Sequence, residues 1–339
     1  MKGLGRRLSL WGALAGAACA SAPAALAGAG PLVGAGAGAG ADAQGPGQAE
    51  RGAEREAERA ELRDRERFVP VRGARLRVRE EGSGDALPAV FVHGFGSRLE
   101  AWRAVQPALA VGRRTLSFDQ RGFGLSERSA QGYGPKEHAA DLLALMDALQ
   151  LPRVVLVAHS YGASVALQAA LDAPGRVAGV VLVSPFALDE QLNSTLRWAQ
   201  VPGIGEWMYA TSFRGFSGEK YQLAFADGGR FATLAALDEV EAMQAIPGTS
   251  EAALATVRAM DYREAQERYR ELGVPVRVVW GEADRVTPIR TLPRFAERLP
   301  QATFVRVPGV GHMPSWEAPG VVIEAVQTVL AAAPAGSGD

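Results

Sequence analysis

The chain has 339 residues and carries 36 Lys and Arg against 37 Asp and Glu, a formal net charge of -1; this balance leaves no electrostatic footprint for nucleic acid or an acidic partner. The length suits one large α/β domain with an insertion, or two smaller domains. The only cysteine, Cys19, is N-terminal and the four histidines, His93, His138, His159 and His312, are scattered, which excludes a disulfide framework or cysteine-based zinc site in the mature domain and argues against other metal sites. A small-molecule partner is expected, without a cofactor.

Residues 1–27 place Lys2, Arg6 and Arg7 before an apolar stretch from Leu8 to Ala18, with small-residue cleavage sites around Cys19 and Ala27. That is the order of a secretory signal peptide, and the apolar run is well short of the roughly 20 residues of a bilayer span. Export to the periplasm or the medium is expected, and the paired arginines also admit the twin-arginine route. A lipid anchor on Cys19 is the lesser alternative, because Gly16 stands where such signals usually carry leucine; membrane contact is expected only in that case. Residues 28–67 form a linker, first Gly/Ala-rich and then alternating in charge, which cannot bury enough apolar surface to order itself. Its stripe of Arg51, Arg55, Arg59, Arg63 and Arg67 reads as a solvated face.

The globular part starts near Phe68. Residues 68–72 and 75–80 predict an antiparallel hairpin around Gly73. Ala89–Val92 and Thr115–Phe118 predict buried strands that run into His93-Gly94-Phe95-Gly96 and Asp119-Gln120-Arg121-Gly122-Phe123-Gly124-Leu125-Ser126. Leu99–Leu109 and Pro135–Leu149 read as helices. Further strands are expected at 154–158, 177–183, 274–280 and 303–307, with a closing helix from Ala318 to about Leu330. Alternation of this kind predicts a mostly parallel eight-stranded sheet with helices on both faces, ligands binding beyond the carboxyl ends of the strands. The strand rhythm stops between Phe186 and Leu272, where helical, aromatic-rich sequence predicts an inserted cap. The expected divisions are core 68–185, cap 186–272, core 273–331 and a tail 332–339.

Val154-Val155-Leu156-Val157-Ala158-His159-Ser160-Tyr161-Gly162-Ala163-Ser164 is an apolar strand that breaks at one serine and restarts in small residues. It fits a nucleophile elbow whose first glycine is alanine. A serine nucleophile needs a base, and the base needs an orienting acid. Asp284 follows the strand ending at Trp280-Gly281, His312 follows the last strand, and the order Ser160, Asp284, His312 matches one hydrolase superfamily. Asp189, just after the 177–183 strand, is the rival acid. His159 reads as a packing residue, His93 as ordering its own loop, Asp119 and Arg121 as loop scaffolding, and Glu317 as capping or ion-pairing the final helix.

On these motifs the stretch from Phe68 to Leu330 resembles a capped α/β-hydrolase fold enzyme. The resemblance implies a nucleophile at Ser160, a base at His312, an acid at Asp284, and oxyanion-hole N–H groups from Tyr161 and Phe95. Phe95, Tyr161, Trp198, Trp207, Phe213 and Phe216 are expected to line the substrate pocket. A serine nucleophile points away from the family's dehalogenases and epoxide hydrolases, and towards a carboxylic ester hydrolase acting on a small to medium apolar or aromatic substrate. Carbon–carbon bond hydrolase, perhydrolase and acyltransferase are alternatives on the same fold, and Met313-Pro314 after the histidine differs from the tryptophan usual in carbon–carbon hydrolases. A catalytically silent binding protein is the reading from another class.

Overall fold

The computed structural model describes residues 66–212 and 218–334. The expected signal segment, the linker up to residue 65, Phe213, Phe216 and residues 335–339 of the tail lie outside the described residues.

Seven strands form one sheet: β1 (Glu66–Val71), β2 (Ala74–Val92), β3 (Arg113–Phe118), β4 (Val154–His159), β5 (Val177–Val183), β6 (Val276–Gly281) and β7 (Thr303–Val307). The two strands expected at 75–80 and 89–92 are a single 19-residue strand, which is why seven strands stand where eight were expected. Its register explains the difference. Val78 to Glu81 pair with Phe118 back to Thr115, whereas Ala89 to Val92 pair with Thr115 forward to Phe118. The two arms of β2 therefore flank β3, and eight strand segments cross the sheet. Gly82 and Gly84, with φ of 74° and 120°, supply the positive φ that lets the chain turn between the arms. The first arm pairs antiparallel with β1, as expected, and the second pairs parallel with β4. From there β4, β5, β6 and β7 are successive parallel neighbours.

The central strands β4 and β5 are buried on both sides, which accounts for the continuous apolar runs in their sequence. Along β4 every residue is buried. Val155 and Val157 join Phe91, Trp102, Val181, Val183 and Val279 in a core covered by Val322, Val326 and Val329 of the closing helix Pro319–Ala332. That helix comes close because β5 carries Gly179, where a Cβ would stand 2.4 Å from the Val329 side chain. The first strand begins two residues before the expected start, and β6 begins after Pro275. Proline has no N–H for a ladder, although the Pro275 carbonyl still accepts from Val180. Between β5 and β6 the described chain is helical, from the short turn Asp189–Gln191 to the turn Tyr269–Glu271.

Trp280, near the end of β6, is fully buried, meets the Phe295 ring edge-on at 5.3 Å, and donates its indole N–H to the Thr287 carbonyl at 2.8 Å. It thus joins sheet packing to the loop beyond the strand. Trp280→Ala is expected to cost about 3–5 kcal/mol in chemical denaturation; a loss below about 1 kcal/mol would show that the ring does not hold this edge together.

Candidate active site

The loops that leave β2, β3, β4, β6 and β7 at their carboxyl ends gather the chemically capable side chains. Ser160 turns the chain from β4 into the helix Gly162–Asp172 with a φ of 50°. Its own N–H donates to Val183 O at 3.0 Å, and its carbonyl accepts from Ala163 and Phe186. A residue with a Cβ tolerates this backbone only where its neighbours give way. At Gly162 a Cβ would stand 2.6 Å from the carbonyls of Val92 and His93. At Gly94 it would stand 3.1 Å from the Ser160 Cβ and 2.9 Å from His159 Nδ1. Glycine at both positions is what brings the β2 loop against the serine.

His312 Nε2 lies 3.0 Å from Ser160 Oγ, and His312 Nδ1 lies 2.8 Å from Asp284 Oδ2. A carboxylate oxygen only accepts, so Nδ1 carries the proton and Nε2 is free to accept from the serine. All three residues are buried. Asp284 Oδ1 accepts the N–H groups of Val286 and Thr287, each at 2.8 Å, and Oδ2 accepts the Thr287 hydroxyl at 2.8 Å. Burial alone would raise this carboxyl; the neighbouring His312 and these hydrogen bonds hold it below the usual aspartate range. Thr287 Oγ1 is also 3.1 Å from His312 Nδ1. The sequence reading missed Thr287, although an acid bonded to N–H groups two and three residues on is a recognisable side-chain turn.

Asp189 is engaged elsewhere. Its carboxylate pairs with Arg197 at 3.0 Å and its N–H donates to Gln266. His159 Nε2 donates to the His312 carbonyl at 2.8 Å, and the two rings are 4.7 Å apart. Burial, with His312 beside it, pushes His159 down to about 3, so it is neutral in the working range. It packs, as expected, and also fixes the backbone of His312. His93 accepts the Gln120 N–H at Nε2 and donates to Gly94 O at 2.8 Å. Asp119 accepts from Leu99 and Leu125, and Arg121 grips Asp141 with two bonds of 2.7 Å. Both serve the loops, as their positions implied.

Phe95 and Tyr161 share one corner. Their rings meet edge-on at 6.3 Å, and Phe123 and His138 close the array: Phe95 to Phe123 at 5.4 Å, Phe123 to His138 at 6.3 Å, His138 to Tyr161 at 5.8 Å. The Tyr161 hydroxyl is 2.9 Å from His138 Nδ1. Ala253 and Tyr209 of the inserted helices pack on Phe123 and Phe95. Trp198 and Trp207 are not part of this enclosure: they are 56% and 62% exposed, facing solvent. In each helix the neighbouring residue, Ala199 or Met208, takes the buried position.

A parallel sheet with a left-handed serine after a central strand, met by loops from four other strands, defines the class of α/β enzymes that work at the carboxyl edge. The chain belongs to the alpha/beta hydrolase fold family, whose model matches residues 88–319. It is 32% identical over 251 residues to the dihydrolipoyllysine-residue acetyltransferase component of the acetoin cleaving system of Pseudomonas putida, covering 73% of this chain and 64% of that one. It spans less than two thirds of that relative's length, and 65% of the counterpart from Cupriavidus necator. It is 26% identical over 266 residues to 2-(acetamidomethylene)succinate hydrolase of Mesorhizobium japonicum, covering 78% of this chain and 94% of that one. Among solved structures, a thermophilic esterase from Thermogutta terrifontis aligns with a TM-score of 0.65 and 25% identity, covering 78% of this chain and 98% of that one.

The lowered carboxyl of Asp284 has a linkage consequence. Its folded pKa lies below the unfolded value of roughly 4, so ionised Asp284 contributes stability that is present above that pH and is lost as pH falls through the folded pKa. Melting curves of the parent and Asp284→Asn between about pH 2 and 6 are expected to converge below roughly pH 4; a gap that stays constant throughout would contradict the assignment.

Proposed function

We propose that the protein is a carboxylic ester hydrolase that works through an acyl-enzyme on a small to medium apolar or aromatic substrate. The observation that carries this reading is the path from Ser160 Oγ to His312 Nε2 at 3.0 Å and from His312 Nδ1 to Asp284 Oδ2 at 2.8 Å. Ser160 Oγ attacks the ester carbonyl carbon while His312 Nε2 takes its proton, and the carbonyl π pair moves to oxygen. The N–H groups of Phe95 and Tyr161 receive that oxyanion, each donor being worth roughly 3–4 kcal/mol in such sites. Asp284 keeps His312 in the Nδ1–H form and stabilises the imidazolium. When the intermediate collapses, the carbon–oxygen bond to the alcohol breaks and His312 gives the leaving oxygen its proton. Water then passes a proton to His312 and attacks the acyl-enzyme, and Ser160 leaves as a hydroxyl again.

The apolar preference is supported by the rings around Phe95 and Tyr161. An acyl-enzyme also serves an acyltransferase when another nucleophile replaces water, so the named activity of the Pseudomonas putida relative is compatible with the same residues.

Ser160→Ala is expected to lower kcat/KM on a p-nitrophenyl ester by roughly ten-thousandfold or more, and a fluorophosphonate should label the parent and not the variant. Retention of most activity would sink the assignment, and a parent that resists labelling would point to a binding protein. Across esters of graded chain length, aromatic esters, lactones and a vinylogous diketone, esters should give the highest kcat/KM; fastest turnover of the diketone would favour carbon–carbon cleavage.

We also propose export. Lys2, Arg6 and Arg7 before the Leu8–Ala18 stretch support it. N-terminal sequencing of the protein from its native host should begin just after Ala20 or Ala27; an intact N-terminus recovered from the cytoplasm would refute it.

A further inference from the structure

Beyond β7 the chain reads Val310-Gly311-His312-Met313-Pro314-Ser315-Trp316-Glu317, and Glu317 ends the short helix Pro314–Glu317. The expected cap or ion pair on the final helix is not what its carboxylate makes. Oε1 accepts the N–H of Gly311 at 2.9 Å, and Oε2 accepts the N–H of Ala226 at 2.8 Å. One carboxylate thus bridges the residue before the histidine to the inserted helical region.

Further contacts lie along the same seam. The His312 N–H donates to Ala224 O at 2.7 Å. At Gly311 a Cβ would stand 2.6 Å from the Ala226 nitrogen and 2.7 Å from the Phe225 carbonyl carbon, so only glycine admits the approach. Phe225, between the two alanines, is fully buried, stacked on Phe231 at 5.2 Å and 6.1 Å from the Trp316 ring. Trp316 in turn donates its indole N–H to Ala101 O in the core. The backbone of His312 is therefore held from two sides, by the His159 ring through its carbonyl and by Ala224 through its N–H.

We propose that Glu317 is a positioning residue: by bonding Gly311 and Ala226 together it fastens the segment Ala224–Ala226 to the loop that carries His312, so that the reach of the histidine to Ser160 depends on the insertion being seated. This rests on the Ser160–His312 reading above. Proton transfer across that hydrogen bond is sensitive to displacements of about an ångström, which in active sites cost on the order of a hundredfold in rate. Without the carboxylate, two N–H donors lose their acceptor, and Gly311 and Ala226 are no longer joined through one side chain.

The test compares Glu317→Ala and Glu317→Gln in the full chain, with active sites titrated by a fluorophosphonate so that kcat is expressed per competent Ser160. For Glu317→Ala, kcat should fall roughly ten- to a hundredfold with KM within about twofold, and the rate of phosphonylation should slow by a similar factor. Glu317→Gln should recover part of the loss, since its amide oxygen still accepts one N–H. A kcat per titrated site within twofold of the parent in Glu317→Ala, or a loss carried by KM alone, overturns the proposal. Should Glu317→Ala not fold, unchanged kcat and phosphonylation in Glu317→Gln overturn it equally. Undiminished turnover by Ser160→Ala is a separate result, and it would remove the reading of the site itself.

Discussion

A φ of 50° at Ser160, which costs roughly 1–3 kcal/mol, persists because the chain on every side has been cut to fit it. The strand before the serine is locked between two parallel neighbours, and the serine's N–H continues that ladder onto Val183. Gly162 clears the carbonyls of Val92 and His93, and Gly94 clears the serine itself. Holding Ser160 there places Tyr161 at the start of a helix, where its N–H belongs to the unpaired first turn. The loop that carries Phe95 approaches Ser160 from β2, at Gly94. A single strained residue thus fixes where the serine hydroxyl stands relative to His312.

The His312 ring has an ionised carboxylate and a neutral imidazole for neighbours. Asp284 is held ionised on one side by His312 and its own hydrogen bonds. On the other side stands His159, at a ring distance of 4.7 Å. Two imidazolium ions that close would repel strongly in a buried setting. Burial removes the conflict by keeping His159 neutral, down to about 3, with its Nε2 proton spent on the His312 carbonyl. His159 therefore bonds the backbone of His312 while staying neutral itself.

The sheet and the three central residues of the site were legible because both depend on local sequence. Runs rich in β-branched residues mark the strands, and Ser160, Asp284 and His312 each follow such a run within a few residues. What stayed hidden depends on contacts between distant segments. Glu317 bonds a residue 91 positions away, and the His138 ring reaches Tyr161 across 23; neither has a signature in its own neighbourhood. The tryptophans fail for a different reason. Aromatic content predicts that a helix has something to bury, but the phase of the helix decides which residues turn inward. At 198–199 and 207–208 the smaller or more flexible neighbour, Ala199 or Met208, took that side. The joining of two expected strands into β2 was hidden likewise, because Gly82 and Gly84 read as loop although the ladder on β3 continues on both arms.

The inserted helices and the sheet are held by unequal means, and this bears on how a substrate reaches a serine that is itself buried. The sheet owes its stability to a broad apolar core running from Phe91 and Trp102 through β4, β5 and β6 to Val329, where each Å² removed from water contributes on the order of 25 cal/mol. Near the site the insertion meets the core through a much smaller apolar contact, Phe123 and Ala253 with Phe95 and Tyr209. It is also tied by the Phe225 ring against Trp316 and by polar bonds, Arg98 with Glu239, Arg128 with Thr249 and Glu317 with Ala226. Such bonds contribute roughly 0.5–1.5 kcal/mol each, because water replaces them when they break. Parting these contacts therefore costs far less than disturbing the sheet, and local opening is drawn from the cheapest part of a structure. The elbow, by contrast, follows a strand that shares the sheet's own core. His312 belongs to both, since its ring faces the elbow and its N–H is bonded to the insertion.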